Sequence, residues 1–293
     1  MNGVLVVDKP SGPTSHDVVG LVRRALGTKR VGHTGTLDPI ATGVLPLVIG
    51  QATRLAQFLS LDDKEYLADV RFGLATPTYD ATSAPADAEL GPVNLTGLDA
   101  ALAEFRGTYL QMPPAFSAKK LAGTPAYQIA RAGGSPELAL VEVRVTALEV
   151  VERSEHTARL RVACSSGFYV RSLAHDIGQR LGCGAHLTAL RRTRVGDFTI
   201  EEAVRLADVD AGGASMAAKI LALERLLPGM PCASLNEAGS RKARHGATLG
   251  AADLTSDAAP DSLKVRLLDD TGRLLGIAQR EPGGVLHPVV VLV

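Results

Sequence analysis

The chain has 293 residues, 46% hydrophobic and 21% charged, with 31 basic and 31 acidic side chains and so no formal net charge. Such totals suit a globular protein with a large core, in one big domain or two, and exclude a chain whose overall field alone would gather nucleic acid or anionic lipid. Cys164, Cys183 and Cys232 form no CxxC pair, the start MNGVLVVDKP has no leader-like pattern, and no apolar run approaches the length of a membrane span, which argues against a disulfide framework, structural zinc, secretion and membrane insertion and leaves the cytoplasm as the expected compartment.

In chain order, GVLVVDKP over 3–10 reads as a short buried strand closed by Lys9-Pro10. Thr14 or Ser15 suits the N-cap of a helix over 16–26 that Gly27 stops. TGVLPLVIG, 42–50, is an apolar run too short for a typical helix and reads as a strand, although Pro46 cannot donate to a ladder. ATRLAQFLSL follows as a helix. KEYLADVRFG, 64–73, alternates, which puts Tyr66, Ala68, Val70 and Phe72 on one face of a strand. TGLDAALAEFRG, 96–107, predicts a helix capped by Thr96.

The segment 112–134, rich in Pro, Gly and small residues, predicts an exposed insertion with one short helix near 125–132. Val141, Val143 and Val145 alternate with polar residues, as do Ala158, Leu160, Val162 and Cys164, predicting an antiparallel strand pair. From Tyr169, apolar residues at Val170, Leu173, Ala174, Ile177 and Leu181 keep helical spacing as far as Gly182. A small-residue break at 211–216 and a helix ending at Leu227-Pro228 close a first domain over 1–228. The tail, 229–293, predicts a small β-rich domain: one helix around NEAGSRKARHG, strands in KVRLLDD, RLLGIAQR and VLHPVVVLV, and a hairpin turn at DDTG. The expected fold class is α+β, with a mixed, mostly antiparallel sheet flanked by helices and the β-rich tail appended.

Charge is biased locally. Residues 16–60 carry Arg23, Arg24, Lys29, Arg30 and Arg54 against Asp17 and Asp38, and residues 167–194 carry Arg171, Arg180, Arg191, Arg192 and Arg194 against Asp176. If the two segments meet in the fold they could hold a polyanion; scattered solvated arginines fit the same counts. Within RVGHTGTLDPIATG, Asp38 is the only acid between Asp17 and Asp62. The stretch GTKRVGHT nearly spells a phosphate-binding P-loop, but His33 stands where the lysine is needed. No HExxH-like spacing surrounds His33 and Asp38, and Ser15-His16-Asp17 lacks a nucleophile elbow. What stays open is a carboxylate acting alone, which needs a cationic partner to remain ionised in a dry pocket. SSGFYVRSLAHDIG offers Arg171 on the first turn of a helix, beside Tyr169, although on their own a tyrosine there is more often core and an arginine more often surface.

GHTGTLDPIATGVLPLVIGQATR resembles the catalytic signature of the TruB family of tRNA pseudouridine synthases. Further blocks similar to that family follow in the same order: VLVVDKPSGPTSHDVV, KEYLADVRFG, the FRG…Q-PP-SA-K segment, GFYVRSLAHDIGQRLGCGAHLTALRRT, and a tail resembling a PUA RNA-binding domain. The resemblance implies the pseudouridine synthase fold and conversion of uridine at position 55 of the tRNA T loop to pseudouridine, with neither cofactor nor metal. It implies Asp38 as the catalytic carboxylate, Arg171 as its charged partner, Tyr66 and Tyr169 against the flipped base, and His33 inserted into the T loop. Lys9 and Leu190 match family positions near the pocket. Arg191 and Arg192, with Arg194 and the Arg23–Arg30 group, become candidate phosphate contacts, and 112–134 becomes the insertion that closes over the tRNA arm. The pattern is departed from at Pro77 and Tyr79, where the family usually has an Asp and a small polar residue. The insertion and the lack of long basic tails favour a stand-alone enzyme, with the T stem-loop of tRNA as its partner and no obligate protein partner, over a guide-RNA-dependent relative; a role in folding or structurally binding RNA stays compatible with it.

Overall fold

Residues 1–85, 92–211 and 216–292 are described by the computed structural model. Their elements begin with β1 (Gly3–Lys9), α1 (Ser15–Leu26), β2 (Val31–His33) and β3 (Ala41–Ile49), then a 3₁₀ turn over Gly50–Leu55 that runs into α2 (Ala56–Leu59), and β4 (Lys64–Phe72). Next come α3 (Leu98–Ala103), β5 (Gly107–Gln111), the hairpin of β6 (Lys120–Leu121) and β7 (Thr124–Pro125), and α4 (Ala126–Arg131). β8 (Val141–Arg153), β9 (Thr157–Cys164), α5 (Val170–Arg180), β10 (Ala185–Val195), β11 (Phe198–Thr199), β12 (Val204–Arg205) and α6 (Leu206–Ala211) follow. In the tail lie β13 (Cys232–Leu235), a helix over Glu237–Arg244, β14 (Leu254–Ser256), β15 (Lys264–Leu268), β16 (Leu274–Arg280) and β17 (Leu286–Val291).

The large sheet has the order β12-β1-β3-β10-β4-β9-β8-β5, with β2 beside β3 and β11 beside β10. Only β1–β12 and β3–β10 pair in parallel among the described strands of this sheet, so it is mixed and mostly antiparallel, as the sequence predicts. One face carries Leu5, Val7, Leu45, Tyr66 and Val70 against α1 and α5. The other carries Val4, Val6, Val44 and Val48 against Leu274, Ile277 and Val290 of the tail's own sheet, whose order is β14-β13-β15-β16-β17. Strand alternation thus serves both units, since successive residues of β1 belong to different cores. Among the described residues no helix is long and apolar enough to cross a membrane.

The choice of cap for α1 is settled by what else each hydroxyl does. Thr14 is the N-cap, reciprocated by Asp17 in a capping box, and Gly27 closes the helix with φ 61°. Ser15 is buried and bonds the loop before β3 instead. Pro46 is tolerated because of its place on β3. Its carbonyl accepts from Thr34 N (3.2 Å), so its nitrogen faces the same side, where β3 exchanges β10 (through Gly43) for β2 (from Leu47). Gly43 has no alternative: φ is 98° and a Cβ would lie 2.1 Å from the Arg192 carbonyl oxygen.

Three local expectations differ. Thr96 does not cap α3, because its N–H and hydroxyl both donate to Asn94 Oδ1 (2.9 and 2.6 Å) and the helix starts after Gly97. The predicted helix to Leu227 reduces to a 3₁₀ turn at Leu223–Arg225, since Leu221 pairs with Val4 and draws the segment along the edge of β1. The small-residue break at 211–216 lies mostly outside the described residues. Finally, HLTALRRTRV, read only as a motif, is the central strand β10.

Candidate active site

Asp38 sits in the turn between β2 and β3, and its backbone is tied from three directions. Ser15 Oγ accepts from Leu37 N (2.8 Å) and donates to Leu37 O (3.0 Å). Gly12 N donates to Pro39 O (2.9 Å), and Asp38 O accepts from Ala41 N (3.0 Å). Lys9 Nζ, fully buried, donates to the carbonyls of Pro10 (2.9 Å), Pro13 (2.8 Å) and Pro39 (3.3 Å). The main chain is therefore fixed while the carboxylate, 38% exposed, faces a cleft.

Arg171 meets it from the first turn of α5, with Nε 2.9 Å from Asp38 Oδ2. The rest of its planar fork is committed: Nη1 donates to Thr78 O (3.0 Å), Nη2 to Phe116 O (2.9 Å), and Asp80 Oδ2 lies 3.7 Å away. Three segments distant in sequence thus fix one guanidinium, itself 6% exposed. Asp80 is held in turn by Thr78 Oγ1 (2.7 Å) and Thr82 N (3.0 Å). Tyr79 adopts φ 62°, an unfavourable value for an aromatic residue, and its ring stacks on His175 at 3.9 Å and 13°. His175 lies one turn after Arg171 on α5, so the loop latches to the helix twice. Gln111 clamps the helix entry, with Oε1 accepting from Tyr169 N (2.8 Å) and Nε2 donating to Tyr169 O (3.1 Å).

The cleft has a volume of about 400 Å³, and Asp38, Tyr66, Lys119, Tyr169, Arg171 and Leu190 are among its walls. That volume suits one small ligand rather than a helical segment. Burial raises the pKa of both tyrosine hydroxyls, Tyr66 being almost fully enclosed and Tyr169 half-buried, so both rings enter neutral chemistry uncharged.

Residues 23–170 match the family model described as TruB family pseudouridylate synthase (N terminal domain), and residues 171–230 match tRNA pseudouridylate synthase B C-terminal domain. The chain belongs to the TruB family. It is 45% identical over 296 residues to the tRNA pseudouridine synthase B of Solibacter usitatus, covering all of both chains, and 43% identical over 289 residues to that of Burkholderia lata, covering 98% of this chain and 89% of the other. Among solved structures it is similar to an H/ACA RNP bound to a substrate RNA containing 2'-deoxyuridine (26% identity, TM-score 0.77) and to a Cbf5-Nop10-Gar1 complex (28%, TM-score 0.76). In both, the match covers 99% of this chain and 85% of the other. The two TruB family models meet between Val170 and Arg171, inside the first turn of α5, although one sheet runs through both.

Of the residues named from the TruB motifs, Asp38, Tyr66, Tyr169, Arg171 and Leu190 line one cleft. His33 does not line it: it ends β2, half-buried, and burial and Arg192 lower its pKa. Lys9 is corrected from a pocket contact to an internal strut, because it is fully buried and bound to three carbonyls. Arg192 is likewise corrected as an outer phosphate contact. It is 1% exposed, with Nε donating to Val44 O (2.7 Å) and Nη2 to Gly35 O (3.1 Å), and it faces the cleft from within. Arg191 alternates to the opposite face of β10 and pairs with Asp8 (2.9 Å), away from the cleft. The sequence reading missed Gln111, Thr78 and Asp80 as supports. The Gln of the FRG…Q block was visible as a motif without a role, and Thr78 and Asp80 match the family pattern in a loop whose role the departures at Pro77 and Tyr79 leave open.

Lys9 gives a measurable consequence. Burial, partly offset by Asp38 and reinforced by Arg192, lowers its pKa from 10.5 to about 8. The unfolded chain therefore holds the extra proton between those values, and this group's contribution to stability rises as pH climbs from about 8 to 10.5. The full shift corresponds to roughly 3 kcal/mol. Lys9→Met should remove that rise, so denaturant titrations of wild type and variant should diverge across the window. Parallel curves would refute the buried, charged assignment.

Proposed function

We propose that this chain isomerises one uridine of the tRNA T loop, at position 55, to pseudouridine, and that Asp38 is the carboxylate that acts on the nucleotide. The observation that carries the reading is the Asp38–Arg171 pair in a cleft of nucleoside size with Tyr66 and Tyr169 in its walls. The reaction breaks the N1–C1′ bond, forms a C5–C1′ bond, releases the C5 proton to solvent and leaves N1 to take up a proton, so the product is an isomer of the substrate. It conserves oxidation state, so no redox group is needed. A uridine inside a stacked loop cannot reach a recessed carboxylate, so the base is flipped into the cleft. There Arg171 orients Asp38, whose carboxylate works as nucleophile or base, while Tyr66, Tyr169 and Leu190 contact the base.

His33, near the cleft, fills the space that the flipped base leaves in the loop. The insertion 112–134 closes over the RNA arm. Its support is that Phe116 already bonds Arg171 and that Ala118 and Lys119 line the cleft. The tail, 229–293, serves as a PUA-like RNA-binding unit, although Arg241, Lys242 and Arg244 lie within ion-pair range of Glu237, Asp253 and Asp269, which moderates their pull on phosphates.

The test is an unmodified tRNA transcript carrying tritium at uridine C5. Release of tritium without added guide RNA, nucleotide or metal is expected. No release under any condition would refute the reading, and release only with a guide RNA would refute the stand-alone form.

A further inference from the structure

The cleft walls hold four cations, Lys64, Lys119, Arg171 and Arg192, against the one carboxylate of Asp38. Arg171 is matched by Asp38. Two of the others are buried charges without such a match: Lys64 is 7% exposed and Arg192 1%. Lys64 Nζ donates to the carbonyls of Ser60 (3.1 Å) and Asp62, while Arg192 donates to those of Val44 and Gly35. Asp62 and Asp63 act on Lys64 only at longer range. The two cations are neighbours, since both crowd Gly35: a Cβ there would lie 3.4 Å from Arg192 Nη1 and 3.8 Å from Lys64 Cε. Next to Gly35 stands Thr34, 2% exposed and also in the cleft wall, whose hydroxyl has no hydrogen-bond partner among the described residues.

A buried hydroxyl without a partner is destabilising by about 1–3 kcal/mol, and buried like charges repel, so neither is expected in a wall whose only task is packing. Both deficits are met by one kind of occupant: an anion with several acceptor oxygens. We propose that Lys64, Arg192 and Thr34 form a phosphodiester subsite of the cleft, which holds a backbone phosphate of the substrate RNA next to the reacting uridine. Thr34 Oγ1 and Lys64 Nζ donate to the phosphate oxygens, and Arg192 supplies charge from behind. Burial and the nearby Arg192 depress the pKa of Lys64, and an arriving anion opposes both effects. The subsite fixes the sugar over Asp38, which is where binding remote from the reacting bond assists the chemistry. It rests on the pseudouridine synthase reading only in taking the phosphate to belong to the RNA that supplies the uridine.

The experiment measures affinity of the full chain for T-arm RNAs in which one phosphate near the target uridine is replaced by a neutral methylphosphonate. Each RNA is tested against wild type, Lys64→Met and Thr34→Val. At one linkage the neutral replacement should weaken wild type about tenfold, the scale of a charge-assisted hydrogen bond, and weaken the variants less than about twofold. Equal penalties in wild type and variants at every linkage would overturn the subsite. Thr34→Val is near-isosteric and keeps the test valid should Lys64→Met fold poorly. Tritium release by wild type on the all-phosphate RNA reports separately on the proposed reaction, so either idea can fail alone.

Discussion

Asp38→Asn should abolish tritium release, by at least about 10⁴-fold, while tRNA affinity stays within a few-fold. The large effect follows from chemistry, because an amide neither attacks C1′ nor accepts a proton at neutral pH. The small effect on binding follows from the way the loop is built. Its fixed contacts are main-chain ones, to Ser15, Gly12, Lys9 and Ala41, and none uses the Asp38 side chain. The asparagine oxygen can still accept from Arg171 Nε, so the cleft keeps its shape and the melting temperature should be nearly unchanged. A variant that retains turnover within tenfold of wild type would remove Asp38 from the chemistry. A variant that also loses tRNA binding would make the carboxylate a structural part of the loop.

The contrast between the Asp38 loop and its supports explains what the sequence could disclose. Asp38, Tyr66, Tyr169, Arg171 and Leu190 were legible because each sits in a contiguous block of motif. The strands β4, β8 and β9 were legible because alternation is local, β1 because a short apolar run ends at Lys9-Pro10, and α1 because Thr14, Asp17 and Gly27 fall at its ends. β10 was not, since its run of arginines hides the alternation. Arg192 is buried there because main-chain carbonyls of Val44 and Gly35, about 150 residues earlier, take its guanidinium. A charged residue reads as surface until such partners are known. The same holds for Lys9, whose three carbonyls belong to prolines that periodicity treats as breakers. Thr96 failed for a different reason: Asn94 offered a closer local acceptor than the helix did. The departures at Pro77 and Tyr79 leave the loop's grip on Arg171 intact, because that grip runs through the Thr78 carbonyl, which any residue could supply.

That grip leads to the second large effect. Arg171→Met should destabilise the fold by about 3–5 kcal/mol, because it leaves Asp80, Thr78 O and Phe116 O facing one another without their shared donor in a site from which water is largely excluded. For a chain of this size the loss should lower the melting temperature by roughly 10 °C. Turnover should fall further than stability accounts for, since the carboxylate of Asp38 loses its orienting partner. Arg171→Lys separates the two roles. A lysine restores one positive charge but reaches only one of the three sites, whereas the guanidinium spans all of them. It should recover part of the stability and little of the turnover. Were Arg171→Lys to match wild type in turnover, the fork geometry would be irrelevant and charge alone would suffice. Were Arg171→Met to melt like wild type, the loop around Asp80 and the insertion at Phe116 would be held by contacts other than this guanidinium.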